Sequence, residues 1–167
     1  HPMSIDTWVE RTGRHAKIIV ARLLGGLSYW QYLAEALRSC ADAHGCALAL
    51  LPGDDNPDDA LLAYSTVDAD NWMSLWALLR DGGIETARGF IEGCREVAGG
   101  RTVSAITRPL LRAGPIESDH DLPAVAPAAA IVFYRALMQS GQMAPVVALA
   151  DALAQRNIRP LPIYVSS

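Results

Sequence analysis

The chain has 167 residues, 51% of them hydrophobic and 19% charged, with a net charge of −4 and a pI near 5.5. That length is enough for one full domain core, and the composition excludes a disordered chain. The acidic balance argues against nucleic acid or an anionic membrane as partner, and no apolar run approaches the ~18 residues of a membrane span.

Residues 1–15, opening HPMSIDTW, lack the apolar stretch of a signal peptide and read as an N-terminal extension or an expression remnant. Lys17 to Ala21 is a β-branched run that predicts a buried strand, broken by Gly25 and Gly26. Trp30, Leu33, Ala34, Leu37 and Ala41 then recur on one helical face, and Gly45 stands where a left-handed C-cap is wanted. Ala47 to Leu51 is the next strand, and it runs into the turn Pro52-Gly53-Asp54-Asp55. Strand, helix and strand with short joins imply a parallel pair.

An inserted helical segment follows over about residues 57–98. It begins with a short helix from Pro57 to Tyr64. Two amphipathic helices come next, one with Trp72, Leu75, Trp76 and Leu79, the other with Ile84, Ala87, Ile91 and Cys94, separated by Gly82-Gly83. Gly99 to Ala126 reads as a surface connection with one strand near Val103 to Ile106. Ala129 to Tyr134 is a further core strand. The last helix carries Val146, Leu149, Ala150 and Leu153, with Pro145 in its first turn and Asn157 at its end, and Leu161 to Val165 is the last strand. The chain stops at LPIYVSS straight after an expected strand, from which a fragment of a longer protein is expected. The expected fold is α/β: parallel-sheet βαβ units of Rossmann or flavodoxin type with an inserted helical segment. Residues 16–167 would then form an α/β domain fragment of a larger protein. Cys40, Cys46 and Cys94 form no CxxC pair, which points to reduced, core-filling thiols in a cytosolic compartment.

IIVAR and IVFYR both end an apolar strand on an arginine, Arg22 and Arg135. Ligands of open α/β sheets bind beyond the carboxyl ends of the strands, where helix N-termini favour anions. Two cations there would suit a ligand with several carboxylates, and Trp30 near the start of the following helix reads as core packing, with stacking on a flat ligand as the sharper alternative. The competing reading is that each arginine pairs with a nearby acid, such as Asp54 or Asp55, and only braces its loop. RLLGGLSYW is not GxGxxG, and there is no GxxxxGK[ST], so phosphate binding is not indicated. The GDDNPDD loop lacks EF-hand spacing and reads as a solvated turn. His1, His15, His44 and His120 form no close ligand pair, and no GxSxG elbow occurs. No catalytic, cofactor-binding or metal-binding set is visible.

RLLGGLSYW, ALLPGDDNPD, STV, LLRDGGIETARGFI and AAIVFYRALMQSGQMAPVVALADALAQRNIRPLPIYVSS resemble the CobN / magnesium chelatase H-subunit family, and within it the large subunit of aerobic cobaltochelatase. The resemblance runs from about residue 16 to the last residue. Two departures are AYSTV at Ala63, where ALSTV is expected, and GQMAP at Gly141, where GNTAP is expected. The resemblance implies an N-terminal segment of a much larger cytoplasmic subunit. With an AAA+ ATPase and its co-subunit (CobS and CobT), that subunit inserts Co(II) into hydrogenobyrinic acid a,c-diamide during cobalamin synthesis. Cobalt is then a substrate, and ATP with Mg belongs to the full complex. No cofactor is expected on this segment, which alone would be inactive. The segment's expected part is to contact the tetrapyrrole's peripheral carboxylates through Arg22, Tyr29 and Arg135. The alternative is a structural or subunit-docking module using the helices at 68–97, with Trp72, Trp76 or Phe90 in a surface patch. A third reading, an independent flavodoxin-like binding protein, is disfavoured by the abrupt C-terminus.

Overall fold

A computed structural model describes residues 2–107, 111–117, 120, 122–123 and 125–166. They divide into two compact units, His1–Arg80 with Thr86–Thr107, and Asp81–Glu85 with Arg108–Ser167.

In the first unit, residues 2–11 form a helix, α1 (Pro2–Arg11). It packs on the helix at residues 26–44: the Tyr32 hydroxyl donates to the Asp6 carboxylate at 2.7 Å. The Trp8 ring lies so close to Gly13 that an added Cβ would come within 2.9 Å of it. β1 (Ile18–Leu23), α2 (Gly26–His44) and β2 (Ala47–Pro52) make the first expected βαβ unit. The strands are parallel, with Ile18 opposite Ala47 and Leu23 opposite Pro52. α2 buries Ala34, Leu37, Cys40 and Ala41, and Gly45 closes it in the left-handed conformation at φ 65°, donating to the Ala41 carbonyl. Trp30 does not join that face. Its backbone is non-helical, the residue is 42% exposed, and Nε1 donates to the Leu24 carbonyl at 2.8 Å. The indole N–H satisfies a carbonyl of the preceding turn, and that holds the ring outside the core.

β2 is buried along most of its length, yet among the described residues its one strand neighbour is β1. Its other edge is satisfied by the STV stretch. Leu48 N–H donates to Thr66 Oγ1 at 2.7 Å, Leu50 N–H to Ser65 Oγ at 2.9 Å, and Thr66 N–H returns to the Leu48 carbonyl. Hydroxyls do here what a third strand would otherwise do. α3 (Asp59–Tyr64), α4 (Ala69–Asp81) and α5 (Ile84–Ala98) form the expected helical segment. Trp72 and Trp76 stack at 6.1 Å between ring centres, and both are buried in the core with Leu75 and Leu78.

The strand expected near Val103 to Ile106 does not form. Val103 enters the core, and side chains take over the backbone pairing. Asn71 Oδ1 accepts from Val103 N–H at 2.7 Å, and the Glu96 carboxylate accepts from Ser104 N–H at 2.9 Å and Ser104 Oγ at 2.7 Å. These bonds stabilise the ionised form, with the Ser104 hydroxyl the larger influence, and hold the Glu96 carboxyl below its ordinary 4.5. The Asn71 backbone N–H likewise holds Asp68 below 3.8. Because both folded values lie below the unfolded ones, their stabilisation is complete above about pH 5 and fades as acid titrates the folded groups. Urea midpoints should therefore fall on acidification below that pH, and less steeply in Ser104→Ala than in the parent chain. Equal slopes would remove Glu96 from the acid response.

The second unit holds a three-stranded sheet in the order β3–β5–β4. β4 (Ala128–Tyr134) and β5 (Arg159–Val165) are parallel, and β3 (Ala113–Pro115) adds antiparallel to β5. Between β4 and β5 run a short helix, α6 (Arg135–Gln139), and α7 (Ala144–Ala154), whose first turn carries Pro145 as expected. α7 covers one sheet face, where Ile131, Phe133 and Tyr164 meet Val146 and Ala150. Asn157 takes φ 59° just past α7, and Ile158 N–H then closes on the Leu153 carbonyl. Gly82 and Gly83 have φ of 67° and 99°. Gly83 N–H donates to the Gln139 carbonyl at 2.7 Å, and Gln139 Nε2 donates to the Asp81 carbonyl at 3.2 Å. Those bonds attach residues 81–85 to this unit. Among the described residues no helix is long and apolar enough to cross a membrane.

Candidate functional site

The carboxyl end of β1 is built from three short pieces: Arg22-Leu23, the Gly25-Gly26 turn and the Pro52 to Asp58 loop. Arg22 lies within β1, opposite Leu51, rather than beyond the strand end. Its Nη2 donates to the Gly53 carbonyl at 3.0 Å and its Nε to the Pro52 carbonyl at 3.4 Å. The guanidinium is thus tied to β2 by main-chain carbonyls, not by Asp54 or Asp55, and its Nη1 takes no part in those two bonds. Gly53 N–H answers by donating to the Leu23 carbonyl at 2.8 Å.

Gly25 and Gly26 have φ of 86° and 72°, left-handed values that a side chain would strain. Tyr29 folds back over this turn: a Cβ on Gly25 would lie 3.0 Å from its ring, while the residue as a whole is 82% exposed. Arg22 and Tyr29 therefore flank the same β1–α2 turn. The cleft beside them, about 510 Å³, is lined by Gly25, Gly26, Asp54, Asn56 and Asp58. Its acids have local duties. Asp54 Oδ1 accepts from Asn56 N–H at 3.1 Å, and Asp58 Oδ1 caps α3 by accepting from Ala60 and Leu61 N–H. A Cβ on Gly26 would lie 3.1 Å from Asp58 Oδ2, so a carboxylate of the protein already faces the start of α2. The GDDNPDD loop is a turn followed by a helix cap, and among the described residues no group of three His, Cys, Asp or Glu is placed to hold a metal ion.

Arg135, in the second unit, opens α6 directly after β4, as expected of a strand-end arginine; it is half-buried and already engaged by a neighbouring group. The second unit also contains a pair that spacing could not reveal. His120 Nε2 and Asp151 Oδ1 lie 3.0 Å apart across 31 residues of sequence. They stand on the wall of a cavity of about 290 Å³ otherwise lined chiefly by Ile116, Met143, Val146, Ala150 and Pro162. An imidazole–carboxylate pair on an apolar wall can orient a ligand. Among the described residues no nucleophile is placed beside it, so the pair makes no catalytic set with them.

Trp72 and Trp76, offered as a docking patch, are 1% and 2% exposed and belong to the core, and Phe90 is half-buried. Their apolar periodicity reported a helix face turned inward. Cys40 and Cys46 are buried, and burial, with Cys40 nearby, pushes the Cys46 thiol up.

No family model matches the chain. It is 43% identical to an aerobic cobaltochelatase subunit CobN from Sinorhizobium sp, across all of this chain and 14% of that protein. It is 34% identical to the subunit of the same name from Pseudomonas aeruginosa, across 98% of this chain and 14% of that protein. Among solved structures, the catalytic subunit of cobaltochelatase from Mycobacterium tuberculosis superposes with a TM-score of 0.69 at 28% identity, over 97% of this chain and 14% of that one. The chain thus spans about one seventh of the length of the relatives it matches. Sequence identity over nearly its whole length and a shared fold lead to one conclusion: the chain belongs to the CobN family of cobaltochelatase subunits.

Proposed function

We propose that this chain is part of the large subunit of an ATP-dependent cobaltochelatase, a cytoplasmic enzyme that inserts Co(II) into hydrogenobyrinic acid a,c-diamide in cobalamin biosynthesis. The AAA+ ATPase subunit and its co-subunit (CobS and CobT) supply the nucleotide chemistry, and cobalt is a substrate. Within that subunit, the β1–α2 turn contacts the macrocycle's peripheral carboxylates. Arg22 provides the charge and Tyr29 a flat surface, with Arg135 as a cation of the second unit.

The observation that carries this reading is the state of Arg22. Its guanidinium is exposed yet held by the Pro52 and Gly53 carbonyls, with Nη1 outside those two bonds. A cation fixed in advance loses little freedom when it binds an anion, and its planar fork suits a carboxylate. The acids of the neighbouring loop oppose an anion, and that opposition supplies the test. In a full-length subunit, Arg22→Ala or Arg135→Ala should each weaken tetrapyrrole binding by about 1.5–3 kcal/mol in a fluorescence titration. Asp54→Asn keeps an acceptor for Asn56 N–H while removing a like charge, so it should tighten binding. Unchanged affinity in all three variants would leave this turn a structural brace.

A further inference from the structure

We infer that the sheet face of the second unit opposite α7 is an internal interface of the long family subunit, covered there by an aliphatic layer from polypeptide outside the matched seventh. The register makes the case. Side-by-side residues of neighbouring strands point to the same face. Pairing sets Phe133 beside Tyr164 and Ile131 beside Pro162 on the α7 side. The same pairing sets Val132 beside Ile163 and Tyr134 beside Val165 on the other side, and β3 adds Pro115 beside Ile163. Leu161 completes that second face two residues before Ile163. It carries no charge through its centre, and it is open: Val132 is 62% exposed, Tyr134 64% and Leu161 42%.

Parallel strand pairs are normally covered on both faces, and such strands read as unbroken apolar runs, which is what AAAIVFY is. A solvated outer face would alternate apolar with polar residues instead. The occupant is chosen by length. The relatives are about seven times longer than this chain, so covalently attached polypeptide is always present at high local concentration. Parallel strands are usually covered by helices, so the covering piece is expected to be an amphipathic helix with an aliphatic stripe. It should also offer one acceptor or water path for the Tyr134 hydroxyl.

Hydroxyl-radical footprinting tests this on unsubstituted protein. Oxidation of Tyr134 should be fast in the 167-residue chain and slower by about eightfold in a full-length family subunit carrying this segment, the ratio of the Tyr134 exposure of 64% to the 8% of its buried neighbour Phe133. Val132→Cys gives a second reading by maleimide labelling at that position, with the same protection expected in the long subunit. Equal reactivity in both proteins would overturn the inference and leave the face solvated. Concentration-dependent protection in the 167-residue chain, abolished by Leu161→Asp and absent from the long subunit, would overturn it in favour of a second copy. Neither readout depends on cobalt insertion, so failure of the chelatase reading would leave this result standing, and the reverse holds too.

Discussion

Trp72→Ala should destabilise the first unit more than any other single truncation, by about 3–5 kcal/mol for the lost ring and the cavity it leaves. The side chain is 1% exposed and stacks on Trp76, whose ring in turn lies 4.9 Å from the Arg80 guanidinium. Its Nε1 donates at 2.7 Å to the Leu50 carbonyl in the middle of β2. Loss of that donor leaves a buried acceptor unpaired, at a further cost of roughly 1–3 kcal/mol. The two contributions can be separated. Trp72→Phe keeps most of the apolar volume and loses the hydrogen bond, so its urea midpoint should lie between those of the parent and the alanine variant. A phenylalanine variant as unstable as the alanine variant would mean that the bond to β2, not the ring, holds α4 in place. A phenylalanine variant as stable as the parent would mean that water or a backbone shift satisfies the Leu50 carbonyl.

The same residue shows why parts of this molecule are legible in its sequence and others are not. Trp72, Leu75 and Trp76 recur at helical spacing, and periodicity correctly identifies a helix with one apolar face. It does not say whether that face meets the core or a partner, and here it meets the core. β1, α2, β2, β4, α7 and β5 were readable for the same reason, with Gly45, Pro145 and Asn157 marking the helix ends. The strand at Val103 failed because pairing there is made by the Asn71 and Glu96 side chains, a long-range arrangement without local periodicity. β3, only Ala113–Pro115, is too short to carry a pattern and exists through its pairing with β5. Trp30 misled because an indole N–H can be satisfied by a nearby carbonyl as readily as a ring can be buried. At the candidate site, the sequence shows Arg22 near the end of its strand, though the residue lies within β1 and not beyond it. Its attachment to the Pro52 and Gly53 carbonyls instead of to acids was not legible, since every residue offers a carbonyl. His120 and Asp151 are joined only by the fold.

Asn71→Asp should cost about 3 kcal/mol or more at neutral pH, and the loss should reverse on mild acidification. Asn71 is buried and makes three hydrogen bonds to two residues: Oδ1 accepts from Val103 N–H at 2.7 Å, Nδ2 donates to Asp68 Oδ2 at 2.6 Å, and its own N–H donates to Asp68 Oδ1 at 2.9 Å. The substitution keeps the acceptor but turns the donor that faces Asp68 into a second carboxylate. A buried carboxylate at position 71 in contact with the exposed Asp68 carboxylate cannot stay ionised without cost, so its folded-state pKa must rise above its unfolded value near 4. The sign follows from linkage. A raised folded pKa contributes stability fully present below the unfolded value and lost as pH climbs through the folded one. The variant should therefore gain stability between neutral pH and about pH 5, where a shared proton restores the missing donor. The parent, with Asp68 and Glu96 held low, gains nothing over that range. Urea titrations at neutral and mildly acid pH should show the variant gaining stability while the parent stays level. Parallel curves would show that the side chain at position 71 does not face Asp68 in solution, and the anchoring of Val103 through α4 would fall with it.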